Sequence, residues 1–112
     1  MNPYIEFGNA IKTTFINTST SPSSTLYTTG ASQKCWVMEF YLQAEADVEV
    51  SILSNATAII GLINFTTATS RERHWGGHGF PIFKTLVAGD DLNLYLSSAV
   101  QVNGWFTYMD MQ

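Results

Sequence analysis

Two stretches of strict alternation constrain the fold more than anything else in this chain. Within Cys35 to Ala44, Trp36, Met38, Phe40 and Leu42 alternate with Val37, Glu39, Tyr41 and Gln43. A few residues on, Val48, Val50 and Ile52 alternate with Asp47, Glu49 and Ser51. A repeat of two places successive side chains on opposite faces of a strand, and no helix tolerates it. Each segment therefore predicts a strand with one face in a core and one in water. The expected core is Trp36, Met38, Phe40, Leu42, Val48, Val50 and Ile52, joined by Leu92, Leu94 and Leu96 from a later alternating run.

The rest of the chain reads as more short strands separated by turns. Ser24–Thr28 is one, followed by a turn at Thr29-Gly30-Ala31-Ser32. Ser54-Asn55-Ala56-Thr57 is another turn. Ala58 to Phe65 is apolar on both faces and predicts a central or covered strand. Thr66 to Gly79 reads as a long exposed connection holding Arg71-Glu72-Arg73 and His74-Trp75-Gly76-Gly77-His78-Gly79. Ile82–Val87, Leu92–Ser97 and Gly104–Met109 complete the set, with turn signals at Gly89-Asp90 and Asn103-Gly104. About eight strands at near-regular spacing, without helical periodicity, predict an all-β fold: an antiparallel β-sandwich or jelly roll. The expected organisation is a single β-domain over 1–112. Residues 1–16 form an arm or the first strands, 17–25 a Ser/Thr-rich loop, and 26–112 the sandwich. The chain of 112 residues suffices for one core and not for two.

Composition narrows the function classes. Charged residues make up only 12% of the chain, and the formal net charge is -4. Nucleic acid is not an expected partner, because tracking phosphates needs clustered Lys and Arg. No apolar run approaches the roughly 20 residues that span a bilayer, so no membrane partner is expected. The N-terminus lacks a basic segment followed by an apolar one, so synthesis in a reducing cytoplasm is expected. The single Cys35 lies in an apolar run and reads as a small buried hydrophobe.

Chemistry finds little support. His74 and His78 are four apart, a zinc spacing on a helix, but Gly76 and Gly77 between them oppose a helix. Glu72 is the only nearby third ligand, and no metal is expected. Asp90-Asp91 reads as a turn whose carboxylate caps its own backbone. There is no nucleophile elbow, phosphate loop or Cys–His pair, so no enzyme and no cofactor are expected. Trp36, Trp75 and Trp105 raise carbohydrate binding, with Trp75 alone in an apparently exposed loop. Arg71, Arg73 and Trp75 equally suit a protein contact, where such residues are enriched.

From Leu26 onward the chain resembles a family of small virion proteins of tailed bacteriophages, of the head-decoration kind. The likeness rests on Thr25-Leu26-Tyr27-Thr28 before a long apolar strand and on Ala46-Asp47-Val48-Glu49-Val50-Ser51-Ile52. It continues through Gly89-Asp90, a Leu-x-Leu strand and Ser98-Ala99-Val100-Gln101-Val102, to an aromatic last strand ending Tyr108-Met109-Asp110. Residues 66–80 and the N-terminal arm depart from the pattern. The resemblance implies a β-sandwich or jelly-roll subunit, often trimeric, on the outside of a capsid. A decoration (cement) protein that stabilises the shell follows, with the major capsid protein and other copies of the chain as partners. A neck, tail or fibre subunit, or a carbohydrate-binding module for host attachment, are the alternatives.

Two segments are expected to make the intermolecular contacts. The arm supplies Tyr4, Ile5, Phe7, Ile11 and Phe15 but cannot form a core of its own. Its host surface is the home sheet, a trimer mate or the capsid. The loop supplies Arg71, Arg73 and Trp75. Val37, Tyr41 and Tyr95 are the expected outer-face residues for self-association.

Overall fold

The computed structural model describes residues 11–67 and 70–111. Among them are nine β-strands and no helix. They are β1 (Lys12–Thr18), β2 (Ser23–Tyr27), β3 (Lys34–Ala44), β4 (Val48–Ser54), β5 (Thr57–Phe65), β6 (Glu72–Gly76), β7 (Phe83–Lys84), β8 (Leu92–Leu96) and β9 (Val102–Met111). Tyr4, Ile5 and Phe7 lie outside the described residues.

The strands form two antiparallel sheets. One has the order β1-β9-β3-β6, with β7 also on β3, and the other β2-β8-β4-β5. The pairs are nested: β4 with β5, β3 with β6 and β7, β2 with β8, β1 with β9. Successive pairs fall alternately in the two sheets, as if one long hairpin had been rolled up. That is the jelly-roll arrangement. Phe40, Leu42, Val102 and Phe106 from the first sheet meet Val50, Ile52, Leu92, Leu94 and Leu96 from the second, all fully buried. Tyr27 ties the layers together, its hydroxyl donating to Asp110 Oδ2 while its ring lies 4.4 Å from that of Tyr108.

One inserted residue explains the main error in the expected core. The β3–β9 register shifts between Val37 and Glu39, so Met38 is an extra residue in β3. A bulge of this kind reverses which parity faces inward. Before it Cys35 and Val37 point into the core; after it Phe40, Leu42 and Ala44 do. Trp36 consequently faces outward, with the Lys84 ammonium 4.4 Å from its ring centroid. Met38 is buried but outside the core cluster. Val37 is wholly buried and unavailable for the outer-face contact expected of it.

Three other expectations change. β5 is an edge strand, not a central one, and Leu62 is 61% exposed. The connection 66–79 contains β6, which pairs with β3 from Glu39 to Gln43. Asn103-Gly104 is not a turn but lies inside β9, opposite Gln43 and Leu42. A Cβ on Gly104 would run into the Tyr41 carbonyl oxygen, so here glycine marks a close backbone approach. Gly89-Asp90, by contrast, is a turn, with Gly89 at φ +89°. Asp90 accepts hydrogen bonds from Ser54 Oγ at 2.7 Å and Asn55 Nδ2 at 2.9 Å, so its carboxylate ties this turn to the end of β4 and the turn after it, where capping of its own backbone was expected.

Candidate functional site

The outer face of the first sheet carries the most distinctive surface among the described residues. Beyond the bulge, β1, β9, β3 and β6 run in uninterrupted register, so residues line up in rows across four strands. One outward row is Phe15, Trp105, Tyr41 and His74. Every position in it holds an aromatic ring. Tyr41 and Trp105 rings are 6.0 Å apart with planes 25° from parallel, and His74 is 6.0 Å from Trp105. Phe15, at the sheet edge, is 80% exposed.

Polar rows flank the rings. On one side lie Asn17, Asn103, Gln43 and Glu72; on the other, Thr13, Thr107, Glu39 and Gly76. These neighbours hold the rings in place. The Tyr41 hydroxyl donates to Glu72 Oε2 at 2.8 Å, which raises the pKa of Tyr41. His74 Nε2 meets Glu39 Oε2 at 2.5 Å. Gln101 Nε2 donates to Asn17 Oδ1 at 2.6 Å and to Asn103 Oδ1 at 2.9 Å. Both asparagine carbonyls are thereby engaged, and both NH₂ groups remain as donors. Beside the Thr107–Glu39 end, Ile11, Met38, Gly77 and Gly79 complete the lining of a groove of about 260 Å³.

The sequence-predicted contact residues are not gathered at one place. Ile11 lies at the groove and is 37% exposed. Phe15 projects into the aromatic row, while its neighbour Ile16 is buried in the core. Residues 12–18 are thus a strand of the home sheet. Arg71 is committed internally: Nε and Nη2 reach Asp47 Oδ1 at 3.0 and 2.8 Å, and Nη2 reaches Thr67 Oγ1 at 2.7 Å. Those hydrogen bonds hold the Asp47 carboxyl below its ordinary pKa. Trp75 is not a loop residue but packs half-buried against the core, edge-on to Phe40 at 5.8 Å. Arg73 is exposed, with its guanidinium carbon 6.0 Å from the Trp75 ring centroid.

The histidines do not converge, since His74 is held by Glu39 and His78 stacks on Phe80. Among the described residues no group of three His, Cys, Asp or Glu side chains could hold a metal ion. Cys35 is fully buried, and burial pushes its thiol pKa up to about 12. A protonated thiol without access is a poor nucleophile.

Sequence reasoning missed the aromatic row because its members are far apart in the chain. The signal available was the outward parity of Tyr41 and the aromatic content of the last strand; their register was not.

No protein-family model matches the chain, and no curated protein matches it either. Two solved structures share its fold. A chain of the cyanophage Pam1 capsid asymmetric unit superposes with a TM-score of 0.57 at 10% identity, over 91% of this chain and 85% of its own. A chain from the Bacillus endospore appendages, a family of disulfide-linked pili, superposes with a TM-score of 0.53 at 15% identity, over 91% and 86%. At such identities the likeness is one of fold.

Proposed function

We propose that this chain is a bacteriophage capsid decoration, or cement, protein. It binds the outside of an assembled shell, contacts the major capsid protein and associates with its own copies, in threes by the family resemblance. The observation that carries this reading is the fold likeness to a capsid chain of similar length, since 91% of one chain matches 85% of the other. It joins the turn-and-strand resemblance seen in the sequence. The action needs no chemistry. A ligand that binds only the assembled shell stabilises it by mass action, by about 2.7 kcal/mol at a hundredfold excess over Kd.

The shell contact is assigned to the leading segment with Tyr4, Ile5, Phe7 and Ile11, and to exposed Arg73 at the β6 edge. Tyr95, half-exposed on the second sheet, remains for self-association. A fibre subunit is the second reading, from the likeness to a pilus chain. Against a disulfide-linked version stands the single cysteine of this chain, which is fully buried.

The test uses shells of the cognate phage purified without this protein. Adding the protein back should raise the temperature at which they burst. Removing residues 1–10, which precede β1, should abolish shell binding and leave the thermal melt of the protein unchanged. No binding of the intact protein to such shells would overturn the reading.

A further inference from the structure

We propose that the outer face of the first sheet is a binding surface for an uncharged polysaccharide chain. Neighbouring strands lie about 4.8 Å apart, so the row from Phe15 to His74 covers three such steps, about 14 Å. That suits about three consecutive sugar rings, whose apolar faces pack on aromatic rings while their hydroxyls point sideways. Here the sideways partners are in place. The Asn17 and Asn103 NH₂ groups are aimed by Gln101 and donate; the Glu39 and Glu72 carboxylates accept.

Charge selects the class of ligand. The three rows hold two carboxylates and no Lys or Arg. A polyanion, whether nucleic acid or an acidic glycan, would be repelled. A second protein surface fits poorly too. A standard interface buries about 800 Å² per partner around a dry core, and here the apolar strip is one residue wide. The Asn17 and Asn103 NH₂ groups on its flank would be buried without partners, at about 1–3 kcal/mol each. Sugar hydroxyls satisfy them. The Tyr41 and His74 rings are held by hydrogen bonds to Glu72 and Glu39 before any ligand arrives, which limits the ordering cost of binding. The inference does not rest on the capsid reading, because it concerns other residues and the protein alone.

Native gel electrophoresis through neutral polysaccharides tests it, with hydroxyethylcellulose, dextran and galactomannan as probes and heparin as the acidic control. The full chain should be retarded by at least one neutral polymer and not by heparin. Trp105→Ala and Phe15→Ala should each raise the concentration needed for half-retardation about tenfold, as expected for loss of one stacked ring. Leu62→Ser, on the other sheet, should leave it unchanged. Phe15 is 80% exposed, so its removal tests the row even if Trp105→Ala folds poorly. Absence of retardation by all three neutral polymers would overturn the proposal. So would unchanged retardation of Phe15→Ala, or retardation by heparin equal to that by the neutral polymers. Shell binding measured in parallel separates the two readings, since loss of one leaves the other standing.

Discussion

Truncating Phe40 to alanine should remove a large part of the stability of this protein. Phe40 is fully buried at the middle of β3, the strand that pairs with β9, β6 and β7. Its ring stacks on Phe106 at 5.4 Å and 14°, meets Trp75 edge-on at 5.8 Å, and lies 5.9 Å from Phe83. A buried Phe→Ala change costs about 3–5 kcal/mol from lost transfer energy and the cavity left behind. Three aromatic neighbours, none able to collapse without leaving its strand, put Phe40 at the upper end, about 4–5 kcal/mol. At about 0.05–0.15 kcal/mol per residue, 112 residues give about 6–17 kcal/mol in total, so the variant still folds and keeps about 1–13 kcal/mol. Urea denaturation followed by tryptophan fluorescence should show the midpoint falling with an unchanged slope. The thermal midpoint should drop by about 15–25 °C. Phe15→Ala, at a residue 80% exposed, should stay within about 0.5 kcal/mol of the parent. A loss below about 1.5 kcal/mol for Phe40→Ala would refute the central placement of this ring.

Gly104→Ala should destabilise by about 1–3 kcal/mol or more, because the new methyl meets the Tyr41 carbonyl and the Leu42 Cα, backbone atoms that cannot swing aside; urea titration showing a neutral effect would place Gly104 in a turn after all. Native Cys35 should resist iodoacetamide at pH 8 and react on unfolding, since it is fully buried with its pKa pushed up to about 12. Its folded pKa exceeds the unfolded value of about 8.5, so its contribution is fully present below pH 8.5 and is lost as pH rises toward about 12. Urea stability measured from pH 7 to 10.5 should therefore fall above pH 8.5, and fall less steeply in Cys35→Ala.

The sequence by itself determined the class of fold and the greater part of its core. Alternation is a local property, and Val48, Val50, Ile52, Leu92, Leu94 and Leu96 point inward as their parity predicts. Turn chemistry is local too, and Gly89-Asp90 and Asn55-Ala56 sit in turns for reasons visible in the residues. Where prediction failed, a distant partner decided. The bulge at Met38 exists only against β9, and it turned Val37 inward and Trp36 outward. Gly104 was legible as a glycine, but its purpose, a close approach to Tyr41, requires β3 beside β9. Trp75 reads as exposed until β6 is laid on β3 and its ring meets Phe40. The same holds for the aromatic row. Phe15, Tyr41, His74 and Trp105 are separated by dozens of residues, and no period in the chain relates them. Only strand order and register bring the four rings into one line, because hydrogen-bonded pairing fixes which residues stand opposite across a sheet.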